Sequence, residues 1–331
     1  PDAWREAPTE GGGSGAAGGD DYHDGMGAEL KGLRAWMEDA ADAPFESRVY
    51  VDSGPVLERE VAMLAGLGWI GKNTMLMSRE LGSYFFLGEI ITTLDLEAHT
   101  PVTDHCGSCT QCLDACPPAA FPQPYVLDAR KCLSYLTIEL KGVIPEEHRD
   151  GVGNQVFGCD ICQEVCPWNR KASMTEDEAY QPRPGLVAPE LAPLMETDDE
   201  TFRERFRRSP LKRTKRRGLL RNVAVALGNT GGPDALPALE RGMMDGEPLI
   251  RQHAAWGLDA SAASAPRRRY DARAPLKTTP TYWRRSTARS TGSHNRRTPY
   301  ESWRRADEHY AADRNIPRRV FPRPQDGRRA R

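Results

Sequence analysis

The sequence contains no apolar run long enough to cross a membrane and no secretory signal segment among its 331 residues. A membrane-spanning helix needs about 20 consecutive apolar residues, which argues against an integral membrane protein. Without an export signal, we expect a cytoplasmic location, where the reducing environment keeps cysteine thiols from pairing as disulfides. The cysteines should therefore be free to bind metal, in a protein that makes no membrane contact.

The sequence also has almost no net charge, with a formal value of −2 at pH 7. This balance hides two different regions, because residues 261–331 carry 18 Arg and one Lys against six acidic residues. The arginine-rich segment has no apolar periodicity. Its charge is compatible with nucleic-acid binding, and unstructured sequence explains it equally well.

Cysteine is absent from the chain outside residues 106–166. The first run, CGSCTQCLDACP, spans Cys106–Pro117 and has the spacing of bacterial ferredoxins, in which three cysteines hold one cubane and the fourth binds the other. The second run, CDICQEVCP, spans Cys159–Pro167 and is one ligand short, so Cys132 is predicted to supply the missing thiolate. The pattern indicates two [4Fe-4S] clusters.

The crossover of the fourth ligand assigns the eight cysteines to two sets. The first set is Cys106, Cys109, Cys112 and Cys166, and the second is Cys116, Cys132, Cys159 and Cys162. Structural zinc is the alternative, because paired C-x2-C units also form tetrahedral thiolate sites. Four cysteines in the first run would crowd a single ion, and a proline follows each run as in ferredoxins, so clusters are favoured.

The stretch GLGWIGKN at Gly66–Asn73 matches the dinucleotide fingerprint and almost matches a P-loop. Both motifs need a preceding strand, whereas the sequence VLEREVAML before these glycines favours a helix. A helix-to-loop turn is therefore the preferred interpretation, and nucleotide binding is not expected.

The hydrophobic pattern predicts a mixed α+β fold after a flexible glycine-rich leader at residues 1–20. Helices are predicted at Gly27–Ala41 and Pro55–Leu67, with a strand at Ser47–Val51 and a buried strand at Ser83–Leu94. Farther along, Gly218–Ala226 and Ala235–Arg241 form a predicted helical pair of the α-solenoid kind, separated by GNTGGP.

Taken together, these features resemble the epoxyqueuosine reductase family from about Asp21 to Leu258. The carriers of the resemblance are the two cysteine runs, the segments around them and several short motifs. These motifs are DYHD (Asp21–Asp24), VDSGPVLER (Val51–Arg59), GLGWIGKN (Gly66–Asn73), GSYFFLGEI (Gly82–Ile90), YVLDARKCLSYLTIE (Tyr125–Glu139) and SPLKRTKRRGLLRNVAVALGN (Ser209–Asn229).

The resemblance implies an enzyme that reduces the epoxide of epoxyqueuosine at the tRNA wobble base, using two [4Fe-4S] clusters and cobalamin, whose Co(I) state attacks an epoxide carbon. Composition shifts along the chain predict the order of domains. A cobalamin-binding α/β region at 21–100, lacking its N-terminal part, precedes a ferredoxin-like two-cluster domain at 101–170. A linker at 171–200, a basic helical HEAT-like segment at 201–258 and an arginine-rich disordered tail at 259–331 follow. Both ends of the chain depart from the family pattern.

Asp52 is the proton donor that the resemblance implies, because opening an epoxide requires a general acid within hydrogen-bond reach. Without the resemblance, an aspartate before Ser-Gly-Pro is more often a turn residue or a helix cap. The implied corrinoid contacts are Trp69, Lys72, Asn73, Leu76, Leu87, Ser134 and Asp160, together with Asp52. Aromatic and apolar residues in such positions would otherwise be ordinary core.

A basic run at Arg203–Arg221 contains ten Arg or Lys residues and one acid, Glu204. Alone it would be a solvated face, but beside a redox site it predicts phosphate contacts with an anticodon loop. The expected tRNA contacts are Lys141, Lys212, Arg213, Lys215, Arg216 and Arg217. We expect a monomer that receives electrons from an external one-electron donor.

Two other classes share parts of this pattern. A reductive dehalogenase-like enzyme would also use cobalamin and two clusters, but it has no need of a basic RNA-facing helix. A dicluster ferredoxin-type electron carrier would need only residues 101–170, and the patterned sequence upstream argues against it.

Overall fold

The computed structural model describes residues 9–172, 175–186 and 188–262, all within one compact unit of the chain. The first part contains β1 (Gly12–Gly13), α1 (Tyr22–Ala40), β2 (Ser47–Tyr50), α2 (Glu58–Leu64), β3 (Trp69–Ile70), β4 (Leu76–Met77) and β5 (Glu89–Thr92). The middle part contains α3 (Gln111–Asp114), a π-helical turn (Tyr135–Glu139), α4 (Glu146–Val152), β6 (Gln155–Phe157) and α5 (Ile161–Glu164). The last part contains α6 (Leu191–Leu194), α7 (Asp199–Arg205), α8 (Lys215–Thr230), α9 (Ala235–Met243) and α10 (Pro248–Ala262).

The strands form three two-stranded sheets. β1 pairs with β6 in parallel, β2 pairs with β5 in antiparallel register from Ser47 opposite Thr92 to Tyr50 opposite Glu89, and β3 pairs with β4 in an antiparallel hairpin. Helix α1 packs against β2 and β5. The α+β class is therefore confirmed. In the described part of the chain, no helix is both long enough and apolar enough to span a membrane.

The predicted flexible leader is wrong for the part that the structure describes. Gly12 and Gly13 add a strand to β6, and Ala17 is buried. A Cβ at Gly13 would lie 2.7 Å from the carbonyl oxygen of Phe157, so glycine permits the close approach that the pairing needs. The glycines that suggested flexibility in the sequence are a packing requirement in the fold.

Of two elements predicted in the first part of the chain, the strand is shorter than expected and the helix is present. The buried strand predicted at Ser83–Leu94 is only four residues long, Glu89–Thr92, and it is partly exposed. The segment before this strand does not pair with another strand among the described residues. Its Ser83 backbone N–H donates instead to the Asn169 side chain at 2.7 Å. By contrast, the helix predicted before Gly66 is present as α2, and Gly66 has a φ of +78°, which confirms the helix-to-loop turn.

The hydrophobic core is centred on helix α8, which is buried almost continuously from Gly218 to Gly228. Helix α10 lies against it so closely that a Cβ at Gly228 would lie 2.7 Å from the Cα of Gly257. The predicted linker at 171–200 is wrong at its end, because Leu191, Leu194 and Met195 are buried in this core. The arginine-rich tail predicted at 259–331 lies mainly in residues 263–331, outside the described residues.

Two adjacent polar residues of α8 bind it to the cysteine-rich region. The Arg221 guanidinium, fully buried, donates to the carbonyl oxygens of Leu136, Leu140 and Gly142 at 2.6–2.8 Å. Asn222 accepts from Arg221 and donates to the carbonyls of Thr137 and Val156 at 2.7 and 2.8 Å. Burial lowers the pKa of Arg221 to about 10, which still leaves the side chain charged at neutral pH.

We predict that Arg221→Leu destabilises the protein by about 3 kcal/mol, because the buried carbonyl oxygen of Leu136 and the partly buried ones of Leu140 and Gly142 lose a charged donor at once. Chemical denaturation monitored by circular dichroism measures the change. Arg217→Leu, one helical turn earlier on an exposed side chain, is the matched control and should cost less than about 1 kcal/mol. Equal losses in the two variants would contradict the anchoring role of Arg221.

Candidate functional site

The structure brings the eight cysteine thiols together in the two predicted sets. Cys112 lies within electrostatic range of Cys106, Cys109 and Cys166, whereas Cys162 lies near Cys116, Cys132 and Cys159. All eight are free thiols. Among the described residues, no three or more His, Cys, Asp or Glu side chains converge on a point where they could hold a single ion.

Burial dominates the electrostatics of these thiols. It raises the pKa of Cys112 to about 11 and that of Cys159 to about 12, with neighbouring cysteines adding to the effect. Thiolates are therefore unfavourable here unless a positive centre binds them, and iron supplies such a centre.

The loop Gly66–Asn73, whose sequence matches the nucleotide-binding motif, contacts the first cysteine set. The Lys72 ammonium donates to the carbonyl oxygens of Gly107 and Cys109 at 2.7 and 2.8 Å, and Lys72 is only 9% exposed. The Trp69 indole is buried edge-on against His105 and Trp168, with ring centroids 5.0 Å apart in each pair. This loop therefore shapes the first set and gives it a buried positive charge.

Two further predicted corrinoid residues hold the same region together. The Asn73 side chain, 3% exposed, donates to the Cys162 carbonyl at 3.3 Å and accepts from the Met75 backbone at 3.2 Å. Leu76, also 3% exposed, lies in the β3–β4 hairpin. The side chains of Trp69, Lys72, Asn73 and Leu76 are thus all buried within the protein.

Asp52 lies in the loop between β2 and α2, and three side chains surround one of its carboxylate oxygens. The Tyr22 hydroxyl donates to Oδ2 at 2.9 Å, while His23 Nε2 and Arg213 Nη1 lie 3.3 and 3.4 Å from it. The Asp52 side chain nevertheless stays 49% exposed. The carboxylate is therefore accessible to solvent, while Tyr22, His23 and Arg213 hold it in one orientation.

The groups around Asp52 are themselves ordered. Burial, with the Asp52 carboxylate as the next cause, raises the pKa of Tyr22, so its hydroxyl stays a proton donor. His23 is turned by the Asp21 carboxylate, 2.8 Å from its Nδ1. The ring of Tyr22 stacks on Phe86 with centroids 4.3 Å apart. The DYHD motif thus builds the first turn of α1 around the candidate acid.

A short series of contacts joins Asp52 to the second cysteine set. Arg213 contacts Asp52, and its carbonyl oxygen accepts from the Lys141 ammonium at 3.3 Å. Lys141 also donates to the Ile138 carbonyl at 3.2 Å, in the π-helical turn that follows Cys132. Hydrogen bonds therefore connect the candidate acid to the turn that follows Cys132, a member of the second cysteine set.

The remaining predicted corrinoid residues lie near this series of contacts. Ser134 donates to the Cys159 carbonyl at 3.3 Å. The Asp160 carboxylate accepts from the Ser14 hydroxyl at 3.1 Å and from the Gly15 backbone at 2.8 Å. Leu87 is partly exposed in the segment between Phe86 and β5. Asp160 thus connects the second cysteine run to the glycine-rich segment that the sequence had suggested to be a flexible leader.

The basic residues separate into two groups. Lys141, Lys212, Lys215 and Arg217 are exposed. Arg213 is turned inward to Asp52, and Arg216, with 16% of its side chain exposed, pairs with Asp245 and donates to the Thr197 carbonyl at 2.7 Å. The run therefore supplies both surface charge and internal bracing.

Sequence reasoning missed the roles of Tyr22, His23 and Arg213 around Asp52, and those of Glu58 and Glu89 behind it. The signal was present, since all five residues lie in the DYHD, VDSGPVLER, GSYFFLGEI and SPLKRTKRRGLLRNVAVALGN motifs. Nothing in the sequence showed that these motifs meet, because they are separated by up to 191 positions in the contact of Tyr22 with Arg213.

Two family models match the chain. A 4Fe-4S double cluster binding domain matches residues 105–169, which contain all eight cysteines. The model described as Epoxyqueuosine reductase QueG, DUF1730 matches residues 1–53, which end just after Asp52.

Curated relatives extend this similarity across most of the chain. An epoxyqueuosine reductase of Xanthomonas campestris pv. campestris is 48% identical over 241 residues, which are 72% of this chain and 68% of the relative. One of Pseudomonas aeruginosa is 49% identical over 246 residues, or 72% and 67% of the two chains. That of Escherichia coli strain K12 is 42% identical over 240 residues, and the match covers 63% of its length.

Solved structures agree with these relatives. A crystal structure of epoxyqueuosine reductase with an epoxyqueuosine-modified tRNA-Tyr stem loop has a TM-score of 0.73 and 37% identity, covering 77% of this chain and 68% of the other. The Bacillus subtilis enzyme with its catalytic aspartate loop swung out of the active site has a TM-score of 0.72 and 36% identity, with the same coverage. With its thiol sets, its fold and its relatives in agreement, the chain belongs to the epoxyqueuosine reductase family.

Proposed function

We propose that this chain reduces the epoxide of epoxyqueuosine in a tRNA anticodon loop to the alkene of queuosine. The observation that carries the proposal is the half-exposed Asp52 carboxylate, held by Tyr22, His23 and Arg213 and joined through Lys141 to the second cysteine set. Conversion of an epoxide to an alkene consumes two electrons and two protons and releases water. The site offers an acid and a place for electron carriers in one assembly.

Electrons enter through two [4Fe-4S] clusters held by the two cysteine sets. Cys106, Cys109, Cys112 and Cys166 hold one cluster, and Cys116, Cys132, Cys159 and Cys162 hold the other. The crossover of Cys116 and Cys166 between the runs places the clusters side by side, which suits transfer of single electrons from an external donor. We place this chemistry in the cytoplasm of the cell and in a monomer.

Cobalamin completes the site. When bound and reduced, it supplies a strong nucleophile for an epoxide carbon. The residues present are suited to it: Ser134 and Asp160 lie beside the second thiol set, Leu87 offers apolar surface, and Asp52 is exposed. Trp69, Lys72, Asn73 and Leu76 contribute by keeping the loop beside the clusters rigid.

Asp52 gives its proton to the epoxide oxygen as the ring opens, since an alkoxide is a poor leaving group. The carboxylate that remains is stabilised by the Tyr22 hydroxyl and the Arg213 guanidinium, at 2.9 and 3.4 Å. Because Tyr22 keeps its proton, it holds the carboxylate in place through both stages. Arg213 therefore positions the acid and is not free for phosphate.

The exposed basic residues Lys141, Lys212, Lys215 and Arg217 form the tRNA-facing surface. Phosphate neutralisation by Lys and Arg supplies affinity, whereas the unstacked wobble base enters the site. The relative whose structure contains a modified tRNA stem loop supports this partner. Arg216 is excluded from the surface by its pairing with Asp245.

We predict that Asp52→Asn lowers single-turnover reduction of epoxyqueuosine-containing tRNA by about 10²- to 10⁴-fold, because an amide cannot donate the required proton. The iron content and visible spectrum should stay unchanged. Asp24→Asn is the matched control, since this carboxylate lies in the same helical turn as Tyr22 and His23 and is also about half exposed, at 51%. Undiminished turnover by the Asp52 variant would remove Asp52 from the chemistry.

We predict that Lys72→Met shifts the midpoint potential of one cluster to a more negative value. A buried ammonium beside the Cys106–Cys109 loop favours the more negatively charged reduced state. Redox titration followed by electron paramagnetic resonance measures the potential. Lys131→Met is the control and removes an exposed charge next to Cys132. It should shift the potential of either cluster much less than Lys72→Met does, because solvent screens that charge.

We predict that the double substitution Lys212→Gln and Lys215→Gln weakens tRNA binding and makes it less dependent on salt. The slope of log affinity against log salt should fall in magnitude by about 0.7 for each phosphate that the variant no longer neutralises. Fluorescence anisotropy at several salt concentrations measures it. Lys31→Gln, exposed on α1, is the control, and an unchanged slope in the double variant would assign tRNA binding to another surface.

A further inference from the structure

Two glutamates behind the Asp52 loop have no role in the chemistry proposed above. Glu58 is the first residue of α2, and Glu89 is the first residue of β5. The Glu58 carboxylate accepts a hydrogen bond from the backbone N–H of Asp52. The Glu89 carboxyl contacts that of Glu58, and both of its oxygens are buried. Glu58 therefore contacts the backbone of Asp52, the candidate proton donor, and Glu89 contacts Glu58.

Glu89 receives no hydrogen bond from a donor in the described part of the chain. The charged groups that act on it, Glu58 and Asp52, are both acidic. Arg59, on the same helix as Glu58, donates to the Thr74 carbonyl at 2.5 Å instead. Two ionised carboxylates in contact repel each other and neither can donate, so the contact requires a proton on one of them.

Among the other elements packed around Glu89, strand β2 carries one basic residue near it, Arg48, which lies opposite Ile91 and is exposed, so solvent screens its charge. Strand β2 places Tyr50 opposite Glu89, and α1 presents Met26 and Leu30 to the adjoining Gly88. Burial, with Glu58 and then Asp52 as further causes, raises the pKa of Glu89 to about 7. At a neutral or slightly acidic pH, Glu89 can therefore donate to Glu58.

The loop that this pair contacts is under conformational strain. Asp52 has a φ of +56°, a left-handed conformation that is unfavourable for a residue other than glycine. Its backbone N–H bond to Glu58 offsets that cost. In the Bacillus subtilis relative, the catalytic aspartate loop has been found swung out of the active site. A loop of this kind needs a group that holds it in.

We propose that Glu58 and Glu89 share one proton and together form a latch that holds the Asp52 loop in its inward position. Glu89 is thereby a positioning residue, acting on Asp52 through Glu58. The proposal rests on the proposed function of Asp52 and adds a control by pH. The latch is closed when Glu89 carries the proton and weakens when the proton is lost.

The sign of the pH dependence follows from the raised pKa of Glu89. Its ordinary value is 4.5 and its value in the folded protein is about 7. The closed latch holds this proton more tightly than the open loop does, so its stabilisation is present at low pH and is lost as pH rises through about 7. Because one proton is linked, the closed population relative to the open one should fall by at most about tenfold per pH unit.

The experiment measures hydrogen–deuterium exchange of the loop in the full chain with reconstituted clusters, from pH 5.5 to 7.5. After correction for intrinsic rates, protection of peptides spanning Val51–Leu57 should fall with pH in the wild type, by up to about tenfold per unit. Glu89→Gln cannot lose a proton yet still donates to Glu58, so its protection should stay flat. Glu58→Gln is a second variant, in which the amide removes the repulsion and should also flatten the profile.

Glu97→Gln is the matched control, because Glu97 is exposed and should keep the wild-type pH profile. Turnover is the second measurement: Glu89→Gln should retain activity toward higher pH where the wild type declines. Exchange profiles that fall equally steeply in the wild type and in Glu89→Gln would overturn the latch. If no variant, wild type included, reduces epoxyqueuosine, the proposed function fails while the exchange experiment still decides the latch.

Discussion

The architecture depends on the buried guanidinium of Arg221, which within the described ranges bonds to carbonyl oxygens and to Asn222 and to no carboxylate. Arg221 lies inside helix α8 and satisfies its donors with the carbonyl oxygens of Leu136, Leu140 and Gly142 and with Asn222. These carbonyls belong to the turn after Cys132 and to its exit, where the backbone leaves helical geometry and the buried Leu136 carbonyl needs a donor. Helix α8 thereby fixes the one cysteine that lies outside both runs.

The turn that Arg221 holds also helps to position Asp52, the candidate acid. Lys141 follows the turn that Arg221 holds, and it donates to the carbonyl of Arg213, whose side chain contacts Asp52. The cluster ligand Cys132, the basic run and the acid are thus positioned by one hydrogen-bonded framework. This explains why a run of positive charge is divided between surface and interior: Arg213, Arg216 and Arg221 brace the fold, whereas Lys212, Lys215 and Arg217 face solvent.

Asp52 itself shows how strain and order are balanced at the site. Its left-handed backbone is held from one side by Glu58, and its carboxylate is held from the other by Tyr22, His23 and Arg213. Half of the side chain remains exposed, so the cost of conformational ordering has been met before a substrate arrives. Tyr22, His23, Arg213 and Glu58, which have no evident role in the sequence, thus all position one aspartate.

The sequence by itself predicted how the cysteines group, because their spacing follows the ferredoxin pattern, and the structure places Cys112 near Cys166 and Cys162 near Cys132. Amphipathic periodicity likewise predicted α1, α2 and the helices around Gly228. Only the tertiary structure decided that the glycine-rich segment at Gly12–Gly13 forms a strand with β6, that Arg216 turns inward, and that Tyr22, Asp52, Glu58, Glu89 and Arg213 meet. These are contacts between distant segments, and they depend on which surfaces pack together, which local propensity does not encode.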